Sequence, residues 1–239
     1  MLSPLELTGR ARTHVADVPG LGCALQAGAA AALIELKRAA RAARIELGAA
    51  SGHRDLARQV AIWNAKFRGE RRLLGRDGAV LEHSALTARE LIDAILIWSA
   101  LPGASRHHWG TEADVVDLAA LPPGYRPQLT REEFAQGGVF ARLAAWLDEN
   151  AARFGFFRPY STDRGGVMPE PWHLSYAPLA APALEALTPE ALAEAVGSSS
   201  MEGRELVLAR LPELYERYVL RIDPLITAHP PRRDAGSGP

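Results

Sequence analysis

Apolar residues recur along the chain with two spacings, and each spacing predicts one type of element. Segments rich in Ala, Leu, Lys and Arg that carry apolar residues on one face predict amphipathic helices. Segments with alternating apolar or β-branched residues predict short strands. On these grounds we expect helices at 26–44, 55–66, 87–98 and 139–154, strands at 44–50, 114–118 and 172–176, and a polar, glycine-rich loop at 68–84.

The last quarter of the chain has a different composition, because Leu, Ala and Glu dominate it beyond residue 178. Thr188, which a proline follows, predicts the start of one helix. Pro212 should bend or split a second helix at 201–218. The tail at 230–239 is rich in Pro, Gly and charge, which predicts disorder. We therefore divide the chain into an N-terminal extension (1–24), a main domain (25–178), a helical extension (179–224) and a disordered tail (225–239).

The composition is that of an ordinary globular protein. Of 239 residues, 48% are hydrophobic and 23% charged, and the formal net charge is -1. No long basic run indicates binding to nucleic acid. Cys23, the single cysteine, excludes an internal disulfide. The apolar stretch at 28–34 is too short to span a membrane, and residues 1–12 lack the pattern of an export signal, so we expect a cytoplasmic protein.

Two polar motifs supply the residues from which a metal site can be built. The first supplies His107 and Asp114, and the second supplies Glu170 and His173. Two imidazoles, one carboxylate and a spare carboxylate are the inventory of a catalytic zinc site: three protein ligands, an open position for water and a nearby general base. His107 and Asp114 are seven residues apart, so both reach one ion only if the chain turns between them. Gly110 is placed for that turn.

The chemistry also needs a proton carrier and a cation. Glu170, which the following Pro171 holds extended, is placed to take the proton of a zinc-bound water and return it to the leaving amine. Arg54 lies at a turn after a predicted strand, where its guanidinium can bind a developing oxyanion or a substrate carboxylate. His108 either competes with His107 as a ligand or supports it from behind. The histidines without such a context, which we interpret as structural or exposed, are His14, His53, His83 and His229.

A family resemblance rests on the paired motifs Ser105-x-His107-x-x-Gly110-x-x-x-Asp114 and Glu170-x-Trp172-His173. They resemble the motifs of the zinc D-alanyl-D-alanine carboxypeptidases and dipeptidases. These include the vancomycin-resistance enzymes VanY and VanX, within the wider lysostaphin and hedgehog-type metallopeptidase group. Ser51-Gly52-x-Arg54, followed by Gln59, is also similar to the family's pattern. The resemblance covers roughly 25–176 and departs from the pattern at His53, where a tyrosine is usual, and at Glu112, where a small residue is common.

The resemblance implies an α+β fold, in which helices pack on a small, mostly antiparallel sheet, and makes the main domain a zinc peptidase domain. It implies that zinc is held by His107, Asp114 and His173. It also implies that Glu170 is the catalytic base, that Arg54 assists the substrate or transition state, and that peptidoglycan peptides ending in D-alanine are the substrate. Substrate contacts are expected from Ser105, Gln59 and Trp172.

Several alternatives stay open at this point. The same site serves a D-alanyl-D-alanine carboxypeptidase, an L,D-carboxypeptidase or a peptidoglycan endopeptidase, and the loops at 68–84 and 159–169 decide by closing or opening one end of the groove. A zinc-containing binding module without catalysis is a different class, against which Glu170 argues. The helical extension either covers the domain or forms a dimer contact, so the oligomeric state is open. A peptidoglycan substrate favours the cell envelope, in contrast to the compartment expected above.

Overall fold

The computed structural model of the chain describes residues 1–224, and the disordered tail expected at 225–239 lies outside these residues. Its α-helices are α1 (Pro4–Leu7), α2 (Ala27–Ala42), α3 (Leu56–Phe67), α4 (Ala88–Ile97), α5 (Arg131–Phe134), α6 (Ala141–Asn150), α7 (Ala177–Ala186), α8 (Pro189–Gly197), α9 (Arg204–Ala209) and α10 (Leu211–Tyr215). Its strands are β1 (Ala16–Val18), β2 (Cys23–Leu25), β3 (Leu47–Ser51), β4 (Leu73–Leu74), β5 (Val80–Leu81), β6 (Glu112–Asp117), β7 (Phe156–Phe157) and β8 (His173–Tyr176).

The central element is a four-stranded sheet with the order β3-β6-β8-β7. All three of its strand pairs are antiparallel. In the pairing of β6 with β8, Asp114 lies directly opposite His173. Two further hairpins, β1-β2 and β4-β5, lie outside this sheet. The small antiparallel sheet with packed helices confirms the predicted α+β fold class.

Capping side chains explain why the predicted helices begin where they do. Asp55 accepts a hydrogen bond from the backbone N–H of Arg58 at the start of α3. Thr87 and Glu90 form a capping box at the start of α4. At the other end of α2, Arg44 adopts a left-handed φ of 59°. Because that conformation cannot continue a right-handed helix, α2 ends before it and β3 begins later than predicted.

The segment expected to be a loop at 68–84 contains the hairpin β4-β5, which corrects that prediction. The turn between its strands includes Gly78, whose φ of 84° a residue with a side chain rarely adopts. The two strands are two residues long and pair as Leu73 with Leu81 and Leu74 with Val80. Strands this short show no alternation in the sequence, so the pattern of apolar residues did not reveal them.

Two hydrophobic clusters hold the elements together. One lies between the sheet and the helices α2 and α6, and its fully buried members include Leu36, Val115 and Leu174. The other joins α3 and α4 to the C-terminal helices, with Trp63 and Ile92 at its centre. The helices beyond residue 178 therefore pack into a cluster that also contains the helices preceding the first motif.

Polar contacts fix the C-terminal helices to α3 and α4. The indole N–H of Trp63 donates to the carbonyl of Glu202 over 3.0 Å, and Arg210 pairs with Asp93 at 2.7 Å. Pro212 occupies the first turn of α10, where a proline is tolerated, and the helix predicted at 201–218 is split there, as expected. Within residues 1–224, no helix has both the length and the apolar character needed to cross a bilayer.

The packing of α10 predicts a measurable contribution of the C-terminal helices to stability. Leu214 is fully buried in the cluster shared with α3 and α4. We expect Leu214→Ala to lower the free energy of unfolding by about 2–5 kcal/mol, because it leaves a cavity in a packed core. Urea unfolding followed by circular dichroism measures this change. The matched control is Leu220→Ala, whose side chain is 45% exposed and should change stability by less than about 0.5 kcal/mol. Equal effects of the two variants would contradict the packing described.

Candidate active site

A tight turn brings the two halves of the first motif to one side of the molecule. His107 lies in a short 3-10 helix, Arg106–Trp109, which ends at Gly110 in a left-handed conformation with φ of 66°. A Cβ atom at Gly110 would lie 2.2 Å from Cγ1 of Val15, so no side chain fits there. The chain reverses at this glycine and enters β6, which carries Asp114. The predicted turn is therefore present at the predicted residue.

The three predicted ligands meet in a buried cluster. One ligand atom from each of His107, Asp114 and His173 lies within 4.8 Å of the other two. Oδ2 of Asp114 is 3.4 Å from Nε2 of His107, and its Oδ1 is 3.1 Å from Nδ1 of His173. All three side chains are at most 7% exposed. Two imidazole nitrogens and one carboxylate oxygen around a common point form a donor set that suits a divalent metal ion.

A backbone carbonyl orients the first imidazole. Nδ1 of His107 is 2.7 Å from the carbonyl oxygen of Gly52, to which it donates. Nε2 is therefore free of hydrogen and faces Asp114. Gly52 follows β3 and is packed so closely that a Cβ atom would lie 2.8 Å from Sγ of Cys23. The backbone N–H of Arg54 returns a bond to the carbonyl of His107 over 3.2 Å, so the two segments hold each other in register.

A second buried carboxylate orients the other imidazole. Nε2 of His173 lies 2.8 Å from Oε2 of Glu112, which leaves Nδ1 as the atom facing Asp114. Glu112 is fully buried and also accepts hydrogen bonds from Ser175 and Thr111, each at 2.8 Å. In the sequence, Glu112 stands out only as a departure from the family pattern. Its spacing of two from Asp114 along a strand puts both carboxylates on one face, and this signal was available in the sequence.

The charges of the cluster are strongly coupled. Burial opposes the charged form of His173, but its hydrogen bonds to Asp114 and Glu112 outweigh burial and raise its pKa to about 10. Burial lowers the pKa of His107 to about 3. The neighbouring imidazoles overcome the effect of burial on Asp114 and lower its pKa to about 2. The carboxylates of Asp114 and Glu112 thus concentrate negative charge around His173, whose proton a metal ion would displace.

Glu170 lies beside this cluster but is not part of it. Its Oε2 atom is 3.7 Å from Nδ1 of His173, and 16% of the side chain is exposed. Burial raises the pKa of the Glu170 carboxyl to about 7. A carboxyl group that exchanges its proton near neutral pH and lines a cleft is suited to general acid–base chemistry.

Arg54 also reaches the cluster. Its Nη2 atom is 3.9 Å from Oδ2 of Asp114 and donates to Oγ of Ser51 over 3.2 Å. Its Nη1 atom donates to Oε1 of Gln59 over 2.8 Å. Gln59 is 1% exposed and lies behind Arg54 rather than among the residues lining the cavity. Gln59 therefore positions the guanidinium, and its role as a substrate contact stays a prediction.

A cavity of about 330 Å³ opens over the cluster. The predicted substrate contacts Ser105 and Trp172 line it, together with Glu170 and Arg54. Oγ of Ser105 is buried and has no hydrogen-bond partner among residues 1–224, so it is available to a ligand. Three further lining residues were not considered in the sequence analysis: Lys66, Arg106 and Tyr160.

The remaining histidines lie outside the cluster. Nδ1 of His108 donates to the carbonyl of Arg54 over 2.6 Å, and its Nε2 accepts from the N–H of Gly103, so His108 supports the segment that carries the guanidinium. His14 contacts the carbonyl of His108, and His83 contacts that of Phe67. His53 stacks edge-on against His14. His229 lies outside the described residues.

Comparisons with known proteins agree with this geometry. The family model described as VanY, D-alanyl-D-alanine carboxypeptidase, matches residues 22–179. An uncharacterized protein of Haemophilus influenzae is 37% identical over 122 residues, which cover 50% of this chain and 93% of the relative.

Two solved structures of VanY proteins are similar to the chain. One is the vancomycin resistance D,D-pentapeptidase VanY from a VanB-type resistance cassette, a glutamate-to-alanine mutant in complex with Zn(II). It matches with a TM-score of 0.50 and 26% identity, and the match covers 70% of this chain and 79% of that one. VanYB in complex with D-Alanine-D-Alanine matches with a TM-score of 0.51 and 25% identity over 80% of this chain and 92% of its own. Both structures are of VanY proteins, and one of them contains Zn(II).

The contacts of Glu112 predict its effect on metal binding. We expect Glu112→Gln to weaken the affinity for Zn(II) by about 10- to 100-fold, because a neutral amide fixes the His173 imidazole less firmly and makes it less basic. Competition with a chromophoric chelator measures the affinity directly.

The matched control is Asp117→Asn, since Asp117 is buried on the same strand but bonds to the backbone N–H groups of Glu46 and Ala119 instead. We expect its Zn(II) affinity to stay within about twofold of the parent protein. An unchanged affinity of Glu112→Gln, in protein that is still folded by circular dichroism, would contradict the role of Glu112.

Proposed function

The chain belongs to the VanY family of D-alanyl-D-alanine carboxypeptidases, and we propose that it is a zinc-dependent peptidase that removes the terminal D-alanine from peptidoglycan-type peptides. The observation that supports this most directly is the buried triad of His107, Asp114 and His173 with Glu170 beside it. A ligand set that leaves room for water, next to a carboxylate that is not a ligand, is the arrangement required for hydrolysis.

The donor set fits zinc in particular. Nε2 of His107, Nδ1 of His173 and an oxygen of Asp114 would hold the ion, and the second nitrogen of each imidazole is already bonded to Gly52 or Glu112. Zinc bound there supplies a Lewis acid that lowers the pKa of water and polarises a carbonyl group.

Glu170 moves the protons of the reaction. Its carboxylate accepts a proton from the attacking water as the new C–O bond forms at the scissile carbonyl. It then delivers that proton to the amine nitrogen of the leaving D-alanine as the C–N bond breaks. Burial raises the pKa of Glu170 to about 7 in the metal-free protein, so this carboxyl group can gain and lose a proton near neutral pH.

Arg54 stabilises the charge that develops during attack. Ser51 and Gln59 hold its guanidinium near Asp114, which fixes one edge of the group before a substrate arrives. A preorganised cation in a cleft that excludes water stabilises an oxyanion more strongly than a mobile cation does. Glu170 beside an intact ligand set disfavours a binding module without catalysis, since such a module has no use for a general base.

Substitution of Glu170 tests the mechanism. We expect Glu170→Gln to lower kcat by about 10²- to 10⁴-fold, because the amide cannot carry the proton, while one zinc ion per chain is retained. Release of D-alanine from a synthetic peptide ending in D-alanyl-D-alanine, measured by liquid chromatography, gives kcat, and atomic absorption gives the zinc content. Glu205→Gln, at a side chain that is 79% exposed, should match the parent protein. Full activity of Glu170→Gln would contradict the mechanism.

Mass spectrometry of a muropeptide digest identifies the bond that is cleaved. We expect zinc-loaded protein to remove one alanine from pentapeptide stems. Loss of two alanines would indicate a dipeptidase, and scission of a cross-link would indicate an endopeptidase. Intact muropeptides with zinc-loaded protein would contradict the proposed function.

A further inference from the structure

Lys66 is a cation of the cleft that forms no ion pair with any of residues 1–224. It is one of two lysines in a chain with 27 Lys and Arg residues, and it lines the cavity from α3. Its Nζ atom donates to Oγ of Ser99 over 2.7 Å. Among residues 1–224, no carboxylate oxygen lies within 4 Å of it, whereas Lys37 pairs with Glu46 at 3.0 Å. Burial lowers the pKa of Lys66 to about 8. An ammonium group that is partly desolvated without a partner carries an energetic cost that a bound anion would relieve.

The other cations of the cavity with described ion pairs are already engaged. Arg54 lies 3.9 Å from Asp114, and Arg106 lies 3.5 Å from Glu112. Both therefore pair with carboxylates of β6, next to the cluster of His107, Asp114 and His173. Arg71 also lines the cavity, but its side chain is exposed. Among residues 1–224, Lys66 is the half-buried cation of the cavity that forms no ion pair and is available to a substrate anion.

A polar wall connects Lys66 to the reacting centre. Gln59, which holds Arg54, lies seven residues before Lys66 on α3. Two helical turns separate them, so both face the same side at a distance of roughly 10 Å along the axis. Helical side chains lean toward the N-terminus of their helix, so the ammonium group reaches back toward Gln59. Glu170 and Arg54 line the same cavity as Lys66, and the charge of Glu170 raises the pKa of Lys66 whereas that of Arg54 lowers it.

Two segments that border the cleft contact each other. Arg76, in the β4-β5 hairpin, donates to the carbonyl of Gly166 over 2.9 Å and pairs with Asp163. Trp98, which lines the cavity, donates from its indole to the carbonyl of Gly75 over 3.1 Å. The contacts of Arg76 connect the segments 68–84 and 159–169, which were expected to decide between an open and a closed groove.

We propose that Lys66, held by Ser99, binds the free C-terminal carboxylate of the substrate peptide and so makes this cleft specific for the end of a chain. The inference rests on the proposed function and names the group that selects its substrate. The carboxylate of the leaving D-alanine accepts from the ammonium while Glu170 and Arg54 act on the scissile peptide group. An internal peptide bond presents no carboxylate at this position, so an endopeptidase would gain nothing from Lys66.

The test compares two peptides that differ only at the terminus, one ending in D-alanyl-D-alanine with a free carboxylate and the other with a C-terminal amide. We expect the zinc-loaded parent protein to favour the acid by at least about 30-fold in kcat/KM, because a charged hydrogen bond is lost with the amide. Lys66→Met should reduce that ratio to below about threefold, by lowering kcat/KM for the acid. Lys37→Met is the matched control and should keep the ratio of the parent protein.

The alternative roles of Lys66 give different results. Equal losses on both peptides in Lys66→Met would mean that the ammonium acts on the reacting groups or on folding, and would overturn the proposal. A parent protein that cleaves both peptides equally would overturn it as well. If the parent protein cleaves neither peptide, the proposed function fails. In that case titration calorimetry of the two peptides is decisive for Lys66: tighter binding of the acid, lost in Lys66→Met, supports carboxylate recognition, and equal binding overturns it.

Discussion

The antiparallel pairing of β6 with β8 is the constraint on which the site depends. It places Asp114 directly opposite His173 and, through the same register, Glu112 opposite Ser175. Side chains of directly opposed residues on one face of a sheet are close neighbours. A shift of this register by one residue would move both carboxylates of β6 to the other face of the sheet. The hydrophobic contacts of Val115 and Leu174 on the opposite face therefore maintain the geometry of the polar cluster.

Much of this arrangement could be predicted from the sequence. Capping residues such as Asp55 and Thr87 determine where the helices begin. The residue types of the two motifs indicate a set of ligands for one metal ion. The imidazole nitrogens that are available to a metal could not be predicted. His107 presents Nε2 and His173 presents Nδ1 to Asp114 because Gly52 and Glu112 bind the other nitrogens. Those partners come from other segments of the chain, and only the fold brings them to the imidazoles.

The positively charged side chains that line the cavity differ in their partners. Arg54 and Arg106 are held close to the carboxylates of β6, where they balance the negative charge that surrounds the imidazoles. Lys66 lies on α3, and its ammonium group donates to the neutral hydroxyl of Ser99. A guanidinium with several fixed partners is suited to a permanent position, whereas a compact ammonium on a flexible stem is suited to an incoming ligand. The place of Lys66 in the cavity could not be recognised from the sequence, because a single lysine on a helix usually lies in solvent.

The attachment of the C-terminal helices to α3 has a consequence for the modularity of the chain. The region similar to the family ends at residue 179, yet Trp63 on α3 donates to Glu202 and shares a hydrophobic cluster with α10. The same helix carries Gln59, which holds Arg54, and Lys66, which lines the cleft. A fragment that ended at residue 179 would expose the indole of Trp63 and one face of α3 to water. The region that matches the family thus depends, for the packing of α3, on helices that lie beyond its own boundary.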